Sequence, residues 1–196
     1  MKTTEQHYYL NQYLGRLSQT LNPYMRNNIK VVDFEYLKKI EQINNSLDVG
    51  AAYSNATVYR VDHPYAGLSF DDFSLWFVRR LKRIIEFPQF LSTTTDPINL
   101  FPGQNVLFKI CTSSKSSGKI ISSIVEHYCP ESEVLFKSNS KFMIQKVDTI
   151  NEVIILKEVS SKCKTDYVLE ENFFMSEPEL MSKLPVRKHI NHDFII

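Results

Sequence analysis

The sequence predicts an α+β fold, helices first and strands after, on three observations. Apolar residues recur every three or four positions through the first fifty residues, the period of amphipathic helices. From Thr57 the apolar residues fall in short β-branched and aromatic runs, the texture of strands. No internal repeat and no long linker divides the 196 residues, so one domain over 1–196 is expected, with a helical part at 1–50 and a strand-rich core at 57–160.

Tyr9, Leu10, Tyr13, Leu14, Leu17 and Leu21 define the first helical stripe, and Asn22-Pro23 is expected to end it. The tyrosines suit either core packing or a ligand platform, and their helical spacing favours the core. Tyr36, Leu37, Ile40, Ile43 and Leu47 define a second stripe, with Asp33 as N-cap and Gly50 just past its end. Thr57-Val58-Tyr59-Arg60-Val61 reads as a strand. Residues 73–85 return to a helical rhythm through Phe73, Trp76, Phe77, Leu81, Ile84 and Ile85. Their cations Arg79, Arg80, Lys82 and Arg83 form either a solvated face or a patch for an acidic partner or phosphate. Further strands are expected at 89–93, 106–112, 133–136, 142–147 and 153–159, the last two joined by a hairpin-length connection. Residues 113–118 read as a serine-rich turn, and the tail after Tyr167 has weak periodicity.

Composition narrows the function classes. Lys+Arg number 23 against 22 Asp+Glu, a net charge of +1, which lacks the basic excess of a dedicated nucleic-acid binder. No apolar run approaches the roughly 20 residues of a bilayer span. The amino terminus has no apolar stretch of a secretory leader, and Cys111, Cys129 and Cys163 form no even disulfide framework. Synthesis in a reducing cytoplasm, without a cleaved signal peptide, is therefore expected. The five glycines form no G-x-G-x-x-G or Walker pattern, and the five histidines form no H-E-x-x-H zinc motif, so no metal is expected.

Three separated elements remain. Arg60 sits in the strand Val58-Tyr59-Arg60; Ser92-Thr93-Thr94 follows Phe90-Leu91; and Glu131-Ser132-Glu133 opens the strand Val134-Leu135-Phe136. Each is common by itself. In this order and context they resemble the mono-ADP-ribosyltransferases that carry an arginine, serine–threonine–serine and glutamate-x-glutamate signature, a family that includes bacterial toxins and effectors. The resemblance spans roughly Val58 to Val159, and its most specific part is the run from Tyr128 through Glu133 into the strand. Val61 stands where relatives often have glycine, and Thr94 where they usually have serine.

The resemblance implies a split, curved β-core with an NAD cleft, NAD as co-substrate, a protein as acceptor and release of nicotinamide. It makes Arg60, Ser92, Thr93, Phe101 and Glu133 the NAD-contacting set, with Phe101 equally suited to a core position. Arg60 suits an anionic oxygen pair of the diphosphate because its guanidinium is a planar fork. Glu133 suits the ribose, since breaking the nicotinamide bond leaves positive charge on the sugar that a carboxylate stabilises. Ser92 would fix the rotamer of that carboxylate. Glu131 and Tyr128 would serve the acceptor, because a carboxylate two residues before the catalytic one accompanies arginine modification in the family. A guanidinium attacks only as it gives up a proton, which Glu131 could orient and receive. Threonine or another acceptor, NAD hydrolysis and a non-catalytic binding module are the alternatives. Cys129 reads as a loop filler in preference to a reactive thiol. The resemblance to injected effectors further implies delivery into a host cell by a specialised secretion system and a host protein as substrate.

Overall fold

Helices do come first. The structure, a computed structural model, describes residues 4–26, 32–62, 69–97, 106–125 and 132–169. Helix α1 (Thr4–Gln12) runs into a π-helical turn (Tyr13–Leu17) kinked at Gly15, and α2 (Ser18–Arg26) follows. The expected break at Asn22-Pro23 does not occur: Pro23 lies inside α2. Proline removes one backbone donor there, but Leu21 and Met25 on either side are buried and hold the helix against the core. Helix α3 (Phe34–Asp48) begins as expected, with the Asp33 carboxylate accepting from the amides of Glu35 at 2.9 Å and Tyr36 at 3.2 Å. Just beyond α3, a Cβ on Gly50 would stand 2.5 Å from the Ile124 side chain, so any larger residue there makes that side chain shift.

The strand-rich part comprises β1 (Thr57–Asp62), helix α4 (Phe70–Val78), then β2 (Ile84–Phe87), β3 (Leu91–Thr94), β4 (Val106–Cys111), β5 (Gly118–Ile120), β6 (Glu133–Phe136), β7 (Ser140–Asp148), β8 (Val153–Glu158) and β9 (Tyr167–Val168). Ile84 and Ile85, expected on a helix, belong to β2 instead. The chain leaves α4 through a tight turn in which Lys82 takes φ 66°, and Ile84–Phe87 then pairs antiparallel with β7. Helical spacing alone cannot register that long-range pairing. Arg80 is drawn out of the expected cationic face, because its guanidinium lies 4.2 Å from the Trp76 ring and 4.7 Å from the Tyr167 ring.

The strands form one mixed, curled sheet in the order β5-β6-β3-β1-β4-β8-β7-β2-β9. A thin seam runs through it. β1 pairs with β4 along six residues and β3 with β6 along four, but β1 meets β3 at the single pair Tyr59–Thr94. The expected split core corresponds to this seam.

The strands around the seam separate two apolar clusters. Val134 and Phe136 of β6 and Leu91 of β3 point into the main core with Val58, Phe108, Phe142 and Ile154. Residues of opposite parity, Leu135 and Phe90, face the helical layer and pack with Leu10, Tyr13, Leu21, Met25, Ile43 and Leu47. Ser92 and Glu133 share parity with Phe90 and Leu135, so the fold presents them toward the helices. Among the described residues no helix is long and apolar enough to cross a membrane.

Candidate active site

Strand register brings two of the three sequence elements side by side. Thr94 is directly opposite Glu133, and Ser92 opposite Leu135, so Ser92 and Glu133 are diagonal neighbours on one face of the sheet. Ser92 Oγ donates to Glu133 Oε1 at 2.6 Å, a short bond of the kind a hydroxyl makes to an ionised carboxylate. Both residues are half-buried.

Arg60 reaches this pair from across the seam. Its Nη1 donates to the Ser92 carbonyl at 2.9 Å, while Nε and Nη2 donate to the two carboxylate oxygens of Asp62 at 2.8 and 2.7 Å. The three motif residues thus meet although they stand 32 and 41 positions apart along the chain. Asp62 was not singled out from the sequence, although its place two residues after Arg60 on a strand puts both side chains on one face.

Thr93 is not brought to the cleft. Its side chain is buried on the opposite face, where Oγ1 donates to the Val134 carbonyl at 2.7 Å. Phe101, Tyr128, Cys129 and Glu131 lie outside the described residues.

Arg60, Ser92 and Glu133 line an open cleft that encloses about 550 Å³ of space, part of it continuous with solvent. Gln89 and Phe90 complete the sheet side. Tyr13, Leu14, Ser18, Asn22 and Arg26 form the opposite wall, all from the kinked segment and α2. Helical spacing alone assigns this segment to core packing and passes over its polar members. Their signal is a second stripe: Ser18, Asn22 and Arg26 recur every four residues, beside the apolar stripe of Leu21 and Met25.

Tyr13 does both jobs. Its ring packs edge-on against Phe90 at 5.0 Å, and its hydroxyl donates to Asn22 Oδ1 at 3.0 Å. Burial pushes the phenol up to about 12, against the opposing pull of the Asn22 hydrogen bond and the Arg60 guanidinium. The cleft wall therefore carries a neutral phenol at physiological pH.

The donor set fits a nucleotide sugar and its phosphates. Arg26 and Arg60 bring positive charge to opposite walls, and Glu133 brings the carboxylate. Gln89 is 3% exposed and its Oε1 has no hydrogen-bond partner, so a sugar hydroxyl or an amide of a bound ligand would satisfy it. Among the described residues no group of three or more His, Cys, Asp or Glu side chains could hold a metal ion.

Solved structures share this architecture. The Vis toxin from Vibrio splendidus matches with a TM-score of 0.61 at 20% identity, over 86% of this chain and 80% of that one. The Clostridium limosum C3 exoenzyme gives 0.62 at 20%, over 80% and 84%. The enzymatic component C2-I of the Clostridium botulinum C2 toxin gives 0.63 at 22%, over 83% of this chain and 44% of that one. No curated protein matches in sequence. The family model for ADP-ribosyltransferase exoenzymes matches residues 1–175, helical layer and sheet alike, and the chain belongs to that family.

Proposed function

We propose that this chain transfers ADP-ribose from NAD to an arginine side chain of a protein, with release of nicotinamide. The observation that carries the reading is the 2.6 Å bond from Ser92 to Glu133 on the cleft face of the sheet, with Arg60 fixed beside it. NAD, when bound, supplies a ribose whose bond to a cationic leaving group is already weak. Glu133 stabilises the positive charge that develops at that sugar. Ser92 keeps the carboxylate aimed while that charge develops. Arg26 offers the opposite wall a guanidinium for an anionic phosphate oxygen. Tyr13 and Phe90 give the cleft an aromatic floor that excludes water from one side of the sugar.

Glu131, two residues before Glu133, is assigned to the acceptor together with Tyr128. The carboxylate of Glu131 orients the attacking guanidinium and receives its proton. Vis has a solved structure in complex with agmatine, whose guanidinium is the group an arginine side chain offers. The toxin relatives extend the reading to delivery into a host cell and a host protein as substrate.

The test compares nicotinamide release with labelling of lysate proteins by isotopically labelled NAD. Glu131→Gln is expected to lose arginine labelling and keep slow NAD hydrolysis, since water needs no guanidinium clamp. Glu133→Gln is expected to lose both. Label on a hydroxyl side chain sinks the arginine assignment. Free ADP-ribose without labelled protein makes the chain a hydrolase, and neither product makes it a binding module.

A further inference from the structure

The seam in the sheet runs through the site. β1, which carries Arg60, meets β3, which carries Ser92, at one backbone pair. Backbone pairing therefore holds the two halves of the site together far less firmly than it holds either half to its own neighbours. The bond from Arg60 Nη1 to the Ser92 carbonyl is a second tie across that seam. Its direction depends on how the guanidinium is turned. Asp62 sets that turn, because its two oxygens accept from Nε and Nη2, the side-on edge of the fork. Both side chains are largely withdrawn from solvent, 28% and 24% exposed.

We propose that Asp62 is a positioning residue. It closes the side-on edge of Arg60, aims Nη1 at β3, and so holds Ser92, and through Ser92 the Glu133 carboxylate, at the distance the reaction needs. Arg60 then acts first as a cross-brace of the seam. A phosphate approaching Arg60 from the side-on edge would meet the Asp62 carboxylate and be repelled. The inference rests on the functional reading above.

Two roles for Asp62 give opposite kinetics. As a positioning residue, its loss lowers kcat and leaves KM for NAD nearly unchanged, because the interaction lost is felt at the sugar. As a mere competitor for the Arg60 fork, its loss frees Arg60 for phosphate, so KM falls and kcat stays. The experiment measures kcat and KM for nicotinamide release with wild type, Asp62→Asn, Asp62→Glu, Arg60→Lys and the Asp62→Asn/Arg60→Lys double variant. Asp62→Glu keeps the charge but displaces the carboxylate by one methylene.

Both Asp62 variants are expected to lose about 10- to 100-fold in kcat, the scale of a small misplacement at a reacting centre, with KM within about threefold of wild type. The double variant should be no slower than the worse single by more than about twofold, because both substitutions break one chain of contacts. Full activity in Asp62→Glu, a lowered KM with intact kcat in Asp62→Asn, or additive losses in the double variant overturns the assignment while leaving the transferase reading in place. A wild-type protein that releases no nicotinamide from NAD overturns both.

Discussion

Replacing Ser92 by alanine deletes the hydroxyl that donates to Glu133 at 2.6 Å and leaves the backbone pairing of β3 untouched. A hydrogen bond to a charged group is worth about 1.5–3 kcal/mol. Ser92 and Glu133 are half-buried, so water can partly replace the hydroxyl, and the lower part of that range applies. At about 1.4 kcal/mol per tenfold in rate, kcat should fall about 10- to 30-fold. The neighbouring hydroxyl supplies the control. Thr93 donates to the Val134 carbonyl on the buried face, so Thr93→Val should cost about 1 kcal/mol of stability and leave kcat unchanged. The assay is nicotinamide release at saturating NAD, with thermal unfolding run in parallel. A Ser92→Ala enzyme within about twofold of wild type, folded and saturated, refutes the claim that this bond aims the carboxylate. A Thr93→Val enzyme as slow as Ser92→Ala refutes it as well, since strand packing would then account for both.

Glu133→Gln keeps the shape and removes the charge, so calorimetry should find NAD still bound while kcat falls about 10²–10³-fold. Tyr13→Phe should reveal the raised phenol as a difference in alkaline stability. The unfolded chain gives up the phenolic proton near 10 and the folded chain near 12, so the wild type loses stability as pH rises through that window. Tyr13→Phe should escape about 2–3 kcal/mol of that loss, read as the difference between the two proteins in how far the urea unfolding free energy falls from pH 9 to pH 12. Glu158→Ala should destabilise by about 2–4 kcal/mol in urea unfolding, because the buried carboxylate accepts from the Ser113 amide and from the Ser117 amide and hydroxyl, and its removal strands both amides.

How far the sequence reaches depends on the range of the interaction. Asp33 capping α3 and the β6 run from Glu133 are written in neighbouring residues, and both stand where the spacing predicts. Ile84 and Ile85 continue the stripe of α4 at helical intervals, yet the left-handed turn at Lys82 and pairing with β7 place them in a strand. β5 and β9 are three and two residues long, too short for any period to show. Within the site, Arg60, Ser92 and Glu133 stand out in the sequence because together they resemble a family signature, and the fold brings the three side by side. Asp62, Asn22, Arg26 and Gln89 were not, since each is an ordinary polar residue until the fold sets it beside the others.

The cleft takes five of its ten lining residues from the stretch Tyr13 to Arg26 and the other five from the strand region. Neither end of the chain holds a usable half. A shortened protein starting at β1 would keep every strand and lose one whole wall. It would also bare Phe90, Ile121 and Leu135, which the helices now cover, and a newly exposed apolar patch of that kind invites self-association. The integrity of the cleft and the solubility of the chain are therefore coupled through the same contacts. Any attempt to trim this chain to a minimal unit meets that coupling first, because the helices that look like an appendage form one whole wall of the cleft.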